Sequence, residues 1–163
     1  MGSDSDLPTM KEAAKVFDDL NISYTLTIVS AHRTPKRMFE EATKAQENGY
    51  KCIIAGAGGA AHLPGMTASL TELPVIGVPI KSSNLSGLDS LYSIVQMPPG
   101  IPVATMAIDG ARNAGLYAAK IIALLRPEVA NALSKFMKTM EQDVLEKAFD
   151  LESKGYQKYL NKQ

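Results

Sequence analysis

The chain has 163 residues, and its 17 basic and 17 acidic side chains cancel to a formal net charge of zero. This length suits one domain with a full hydrophobic core. The charge balance excludes a strong electrostatic attraction to nucleic acid or to an anionic membrane. No apolar run approaches the roughly 20 residues of a membrane span, and residues at the start of this sequence do not show the basic-then-apolar pattern of a secretion signal. The one cysteine, Cys52, lies in an apolar run and favours a core role over a nucleophile. We expect a cytoplasmic protein.

The first motif is Gly-Ser-Asp-Ser-Asp at residues 2–6, which precedes an amphipathic helix pattern. Asp6 is placed to cap this helix, and Pro8 fits its first turn. Small polar residues before a helix can bind a phosphate, but taken alone the motif is better explained as an ordinary N-cap. A doubly wound fold has a buried strand ahead of such a loop, where this sequence has Met1. We therefore expect the natural chain to begin upstream of Met1.

The second motif follows the segment from Tyr24 to Val29, whose apolar and β-branched residues predict a strand. Arg33 offers a bidentate fork for phosphate, and His32 is the side chain suited to acid–base chemistry near neutral pH. A histidine bonded to the backbone and an arginine on the surface would explain this motif about equally well. Both histidines of the chain follow strands, however, which favours function. The motif is Ser30-Ala31-His32-Arg33-Thr34-Pro35, and the next helix should bury Met38, Phe39, Ala42 and Ala45 and stop at Gly49.

The third motif is the most distinctive of the chain. Cys52 to Ala55 predicts a buried strand, and a run of seven Gly and Ala residues ends in His62-Leu63-Pro64-Gly65. Residues without bulky side chains let a ligand approach the backbone N–H groups. A tight turn with a surface histidine is the alternative interpretation. The length of the run favours a ligand-binding loop.

The rest of the chain alternates strands and helices and ends in a long amphipathic segment. Apolar residues recur at intervals of three or four from 129 to 151, which predicts a helix buried on another subunit rather than on its own sheet. We expect one α/β domain over residues 1–163, with a core over 1–126 and an oligomerisation helix over 127–156. The other predicted segments are strands at 75–79 and 103–107, a loop at 80–88 over the site or against a neighbour, helices at 89–97 and 111–125, and a frayed polar end at 157–163. The helix at 111–125 is rich in alanine and should pack closely through its small residues.

Three strand-end loops would share one crevice at the carboxyl edge of a parallel sheet, and that crevice has the size of a mononucleotide site. These loops, together with residues 85–98 and 100–105, closely resemble the N5-carboxyaminoimidazole ribonucleotide mutases of purine biosynthesis. This is the class I family, also described as the catalytic subunit of phosphoribosylaminoimidazole carboxylase. The resemblance runs from residue 2 to about residue 125. Motifs of this length are highly specific.

The resemblance implies a flavodoxin-like, three-layer α/β/α fold and a homo-octamer whose long C-terminal helices pack on neighbouring subunits. It implies an isomerase that moves a carboxylate from the exocyclic N5 to ring carbon C4 without metal, ATP, biotin or another cofactor. His32 looks like the general acid–base. The residues that look like substrate-binding groups are Ser3 and Asp6 in the first loop, Ser30 and Arg33 at the phosphate, and Ala57, Gly58, His62 and Leu63 in the loop over the base.

Two other activities compete with this interpretation. The sister enzyme carboxylates aminoimidazole ribonucleotide directly with carbon dioxide, but its branch lacks the uninterrupted run at residues 58–65. A nucleotide-binding module without catalysis is the second alternative, and the intact His32, Arg33 and His62 argue against it. The chain also departs from the family pattern, because residues 107–113 are shorter than usual and Pro99 stands where glycine is common. We expect these departures to alter local loops and not the site residues.

Overall fold

The structure, a computed structural model, describes residues 1–160 and contains a sheet of three parallel strands in the order β1-β2-β3. In the register of β1 and β2, Ile53 pairs with Val75 and Gly58 pairs with Ile80. Every residue of β2 is buried, as expected for a parallel strand covered on both faces. The strands are β1 (Ile53–Gly58), β2 (Val75–Ile80) and β3 (Ala104–Thr105).

Helices cover both faces of the sheet, which confirms the predicted three-layer architecture. One face buries apolar side chains of α1 and α5 against β2, and the other packs α2, α3 and α4 against β1. A 3₁₀ turn, Asp4–Asp6, precedes α1. The helices are α1 (Leu7–Asp19), α2 (Pro35–Lys44), α3 (Leu63–Ala68), α4 (Leu88–Val95), α5 (Ala111–Ala123) and α6 (Pro127–Leu160).

Close packing between α1 and α5 depends on small side chains, as predicted from the alanine-rich sequence of α5. Ala114 and Ala118 are fully buried. A Cβ atom at Gly115 would lie only 3.0 Å from the carbonyl oxygen of Ala13. The two helix backbones therefore approach too closely for a larger residue at that position without local movement.

The predicted strand from Tyr24 to Val29 is wrong, because these residues form no ladder with a neighbouring strand. The start of the chain lies beside this segment instead: the Met1 amine donates to the Thr27 carbonyl at 3.1 Å, and the Val29 N–H donates to the Met1 carbonyl at 2.8 Å. Gly2 then donates to the Gly56 carbonyl at 3.1 Å. Beyond Met1, a groove of about 370 Å³ lies between residues 22–27 and 51–54. A strand needs a paired neighbour along its length, and the groove occupies that place.

Several element boundaries also differ from the predictions. Phe39 is 54% exposed rather than buried, so it lies on the outer side of α2. The third strand is limited to Ala104–Thr105, since only these residues pair with β2. The last helix continues to Leu160, so residues 157–160 are helical rather than frayed, with a kink at Gly155 where φ is 71°. The remaining residues of the predicted frayed end, 161–163, lie outside the described part of the chain.

The long helix α6 is anchored to the core only at its beginning. Val129 and Leu133 pack against α1 and α5, where both are buried. Farther along, large apolar side chains face solvent, so the distal half does not lie over its own sheet. Over residues 1–160, no helix is both long and apolar enough to cross a membrane. The exposed apolar residues of this half are Met137, Met140, Val144, Leu145, Phe149, Leu151, Tyr156 and Leu160.

Candidate active site

A cleft of about 400 Å³ lies at the carboxyl edge of the sheet, beyond the last residues of β1 and β2. Its walls are the loop after Met1, the loop after Val29, the glycine loop after β1 and the start of the loop after β2. All nine predicted site residues line this one cleft. They are Ser3, Asp6, Ser30, His32, Arg33, Ala57, Gly58, His62 and Leu63.

Ser3 and Asp6 form a reciprocal capping arrangement in the first loop. The Ser3 hydroxyl accepts a hydrogen bond from the Ser5 N–H at 3.4 Å, and the Asp6 carboxylate accepts one from the Ser3 N–H at 3.0 Å. Asp6 was expected to cap α1, but its side chain makes no cap hydrogen bond to that helix. Asp6 is 6% exposed, and this burial raises the pKa of its carboxyl, although the Ser3 N–H opposes the shift.

Ser30 organises the second loop. Its backbone N–H donates to the Thr34 hydroxyl at 2.9 Å, and its own hydroxyl accepts the Arg33 N–H at 3.2 Å. The bonds close a turn immediately before α2, whose first residue is Pro35. The Ser30 hydroxyl keeps its proton available for an acceptor in the cleft, such as a phosphate oxygen. Arg33 also lines this cleft and carries a guanidinium, so this part of the cleft is suited to an anion.

His32 and His62 meet across the cleft. The Nε2 atom of His32 lies 2.8 Å from Nδ1 of His62, and the two rings stand nearly perpendicular at 76°. One nitrogen must donate and the other must accept, so the contact holds a single proton between the two rings. The sequence indicated both residues but not their contact, because they lie 30 positions apart. This pairing allows a proton to pass between the two imidazoles.

The glycine run continues as strand before it becomes a loop. β1 extends to Gly58, beyond the predicted end at Ala55, and Gly59 then adopts a φ of +69° that favours glycine. At Gly56 a Cβ atom would overlap the Met10 side chain of α1. The run of small residues therefore serves two purposes, which are tight packing inside β1 and a turn at the cleft.

Sequence reasoning missed the individual site residues of the loop after β2, although it expected this loop to lie over the site or against a neighbour. It predicted a loop over residues 80–88 without assigning site residues there, yet Lys81, Ser82 and Ser83 line the cleft. The Lys81 N–H donates to the Asp109 carboxylate at 2.9 Å, which fixes the start of the loop. The signal available in the sequence was a polar stretch directly after a buried strand. Lys81 and Arg33 give the cleft two cationic side chains.

Outside the cleft, the structure offers neither a reactive cysteine nor a metal-binding cluster among residues 1–160. Cys52 lies in the groove beside β1, where burial raises the pKa of its thiol to about 11. The thiol is therefore protonated at neutral pH and is a poor nucleophile. No group of three or more His, Cys, Asp or Glu side chains among residues 1–160 is arranged to hold a metal ion.

Comparisons with known proteins relate the chain that forms this cleft to one protein family. A family model described as AIR carboxylase matches residues 1–143. The chain is 62% identical over 161 residues to the N5-carboxyaminoimidazole ribonucleotide mutase of Thermotoga maritima, covering 99% of this chain and 94% of that protein. It is 61% identical to the protein of the same name from Pyrococcus horikoshii, covering 99% of this chain and 91% of that protein.

Longer relatives and a solved structure extend the similarity. The phosphoribosylaminoimidazole carboxylase of Schizosaccharomyces pombe is 57% identical over 159 residues, which are 98% of this chain but 29% of that longer protein. The crystal structure of Treponema denticola PurE matches with a TM-score of 0.82 at 27% identity. That match covers 93% of this chain and 94% of the Treponema chain.

Proposed function

Because the chain belongs to the AIR carboxylase family, we propose that it is an isomerase of purine biosynthesis. It converts N5-carboxyaminoimidazole ribonucleotide into 4-carboxy-5-aminoimidazole ribonucleotide by moving the carboxylate from N5 to C4. The observation that carries the proposal is the meeting of three loops at one cleft, with His32, Arg33 and Asp6 among its lining residues. Identity above 60% to two proteins named as this mutase, over nearly the whole chain, supports the choice of reaction.

The substrate is seated by complementary groups along the cleft. Its phosphate binds at the Ser30 hydroxyl and the Arg33 guanidinium, which give the cleft a neutral and a cationic donor. Asp6 accepts hydrogen bonds from the ribose hydroxyls, with Ser3 beside it in the first loop. One oxygen of Asp6 already accepts the Ser3 N–H, so the carboxylate is held in place before the substrate arrives. The base then lies against the glycine loop.

The glycine loop supplies the walls around the reacting groups. Ala57 and Gly58 line the cleft with little side-chain bulk, so the five-membered ring and its carboxylate can lie close to the backbone there, with Leu63 as an apolar neighbour in the same lining. His62 belongs to the same loop and is the N-cap residue of α3. Small residues here leave room for the transferred group while excluding water around it.

His32 performs both proton transfers. Cleavage of the C–N bond releases carbon dioxide and returns the electron pair to the nitrogen, which takes a proton from His32. Ring carbon C4 then attacks the carbon dioxide, and His32 removes the proton from C4 as the ring regains its aromaticity. The histidine ends in its starting state, so no net proton is needed. Its hydrogen bond with His62, at 2.8 Å between the two ring nitrogens, lets the second imidazole share the proton that His32 holds before the first step and regains in the second.

Assembly is the second part of the proposal. The chain forms one α/β domain in which residues 1–126 are the core and residues 127–156 are an oligomerisation helix. The exposed apolar side chains of α6, such as Phe149 at 71% exposure, pack on neighbouring subunits in a homo-octamer. The enzyme acts in the cytoplasm on a small-molecule nucleotide, and it uses no cofactor, nucleic acid or membrane.

One assay separates this reaction from its competitors. Purified protein is given either the N-carboxylated nucleotide without bicarbonate or the decarboxylated nucleotide with carbon dioxide, and the formation of the C4 carboxylate is measured. Turnover of the first substrate alone supports the mutase. Turnover only of the second identifies the direct carboxylase, and binding of either without turnover identifies a non-catalytic module. Both of these last outcomes would overturn the proposed reaction.

A further inference from the structure

Ser90, in the first turn of α4, connects the glycine loop to the end of β2. Its side chain is fully buried, with an exposed fraction of 0%. The hydroxyl donates to the Ile80 carbonyl at 2.7 Å and accepts the Gly59 N–H at 2.8 Å. A single hydroxyl therefore joins the glycine loop to the last residue of β2, and both Gly59 and Ile80 line the cleft. Nothing in the sequence motifs suggested a role for this serine beyond its place in a helix.

Other residues of the same helix brace these loops as well. The Ser93 hydroxyl lies 3.3 Å from the Gly59 carbonyl, in addition to its shorter bond of 2.7 Å to the Asp89 carbonyl. The Asp89 carboxylate accepts the Ser82 hydroxyl at 2.7 Å. That bond lowers the pKa of Asp89, so the carboxyl is ionised at neutral pH. The first turns of α4 thus contact both loops from behind the cleft.

Gly59 is the point at which this bracing matters most. It has a positive φ and it follows Gly58, a residue that lines the cleft. The next turn of the chain, which carries His62, starts from its carbonyl, because the Ala61 N–H donates to the Gly59 oxygen at 2.8 Å. A shift of Gly59 would therefore move the loop that holds one of the two facing histidines.

We propose that Ser90 is a positioning residue for carboxylate transfer, acting through the Gly59 N–H to hold the glycine loop closed around the reacting groups. The inference rests on the proposed mutase reaction and adds to it a residue that does not touch the substrate. Removing the hydroxyl leaves the partly buried Gly59 N–H and the buried Ile80 C=O without this partner, and the loop must move to replace the lost hydrogen bond. Carbon dioxide formed in the first step then escapes more often before C4 captures it.

The test compares Ser90→Ala with the parent enzyme on the N-carboxylated nucleotide. We expect kcat to fall by about tenfold to a hundredfold, as for a small misplacement of reacting groups, while KM changes much less. The fraction of turnovers that release decarboxylated nucleotide should rise. Hydrogen exchange should show faster exchange of the Gly59 amide. Ser93→Ala should give a smaller effect in the same direction, because its contact with Gly59 is longer.

The matched control is Val129→Ala, a change in a side chain that is 1% exposed and packs between α6 and α1, away from the cleft. It should lower the melting temperature without changing the ratio of isomerised to decarboxylated product. Ser90→Ala could behave like Val129→Ala, with a lower melting temperature but an unchanged kcat and an unchanged ratio of isomerised to decarboxylated product. That result would show that the positioning role is wrong. If Ser90→Ala does not fold, exchange in the parent decides: a Gly59 amide that exchanges as fast as that of exposed Gly100 overturns the proposal.

The same exchange measurement separates this inference from the proposed reaction. A parent protein that catalyses no isomerisation would refute the mutase assignment and, with it, the catalytic role of Ser90. Slow exchange at Gly59 in that inactive parent, lost in Ser90→Ala, would show that the serine holds the loop while the reaction was wrongly assigned. The two failures therefore give different results.

Discussion

His32→Asn tests the central chemical role of the cleft. Asparagine keeps a hydrogen-bonding group near the position of the imidazole but cannot accept and return a proton near neutral pH. One general acid–base group contributes about 10² to 10⁴ in rate. In the proposed mechanism His32 serves two proton transfers, and His62, whose Nδ1 lies 2.8 Å from Nε2 of His32, can take over part of the proton transfer when His32 is replaced. We therefore expect kcat to fall by about 10³-fold or more.

Binding and stability should change little in this variant. His32 is exposed, and substitutions of exposed residues usually change stability by no more than about 0.5 kcal/mol. For a chain of this size that corresponds to about 1–2 °C in melting temperature. Nucleotide affinity, measured by calorimetry, should stay close to that of the parent because Ser30, Arg33 and Asp6 are unchanged. Turnover is followed by the appearance of the C4-carboxylated product.

The matched control is His62→Asn. This change removes the partner of His32 but leaves the acid–base group itself, so we expect a loss of about tenfold, the order of one hydrogen bond. A His32→Asn enzyme that retains more than a tenth of the parent kcat would refute the assigned role. If His62→Asn loses more activity than His32→Asn, His62 is the general acid–base and His32 is its hydrogen-bonding partner.

Three further predictions address charge, assembly and the groove. Burial raises the pKa of Asp6 above its ordinary value of 3.8, so the stability that this carboxyl contributes at low pH is lost as the pH rises through the raised pKa. The melting temperature of Asp6→Asn should therefore rise relative to that of the parent as the pH rises toward 7, while its nucleotide affinity should be lower. A difference in melting temperature that stays constant with pH would contradict the raised pKa. The double change Met140→Glu and Val144→Glu should reduce the particle mass in light scattering, because burying each apolar side chain contributes about 1.5–3 kcal/mol to a contact. The control is Gln142→Glu on the opposite side of α6, and equal masses for all three proteins would refute an interface there. A short extension of alternating β-branched residues ahead of Met1 should pair along the groove beside β1 and raise the melting temperature by several degrees. The same extension with a central proline should not raise it, because proline lacks the N–H that a ladder needs. Equal melting temperatures for the two extended proteins would contradict pairing.

The site could be predicted because its signals are local in the sequence. Polar or glycine-rich residues follow each predicted strand, and the carboxyl ends of parallel strands lie at one edge of the sheet. This rule brought Ser3, His32 and Gly58 together without any knowledge of their distances. The close packing of α5 could be predicted equally well, because a helix with many alanines and a glycine allows a neighbouring helix to approach closely.

The errors arise where a distant partner decides the local structure. The segment from Tyr24 to Val29 has the composition of a strand, but a ladder also needs hydrogen bonds from a neighbour, and composition does not report that neighbour. Asp6 is a residue type that often caps helices and it directly precedes α1, yet its carboxylate accepts a hydrogen bond from the Ser3 N–H instead. Phe39 fits the helical period of α2, but its position falls where no other element covers the helix.

The loops that line the cleft differ in how they are held. The glycine loop and the loop after β2 extend from paired strands and are joined through Ser90. The first loop is attached to the sheet through the single Gly2 to Gly56 bond and through the bonds of Met1 to the neighbouring segment. Its position at the cleft therefore depends on a few backbone contacts at the mouth of the groove. Any segment that fills the groove and extends the pairing past Met1 should fix Ser3 and Asp6 more firmly, so it should improve nucleotide affinity as well as stability.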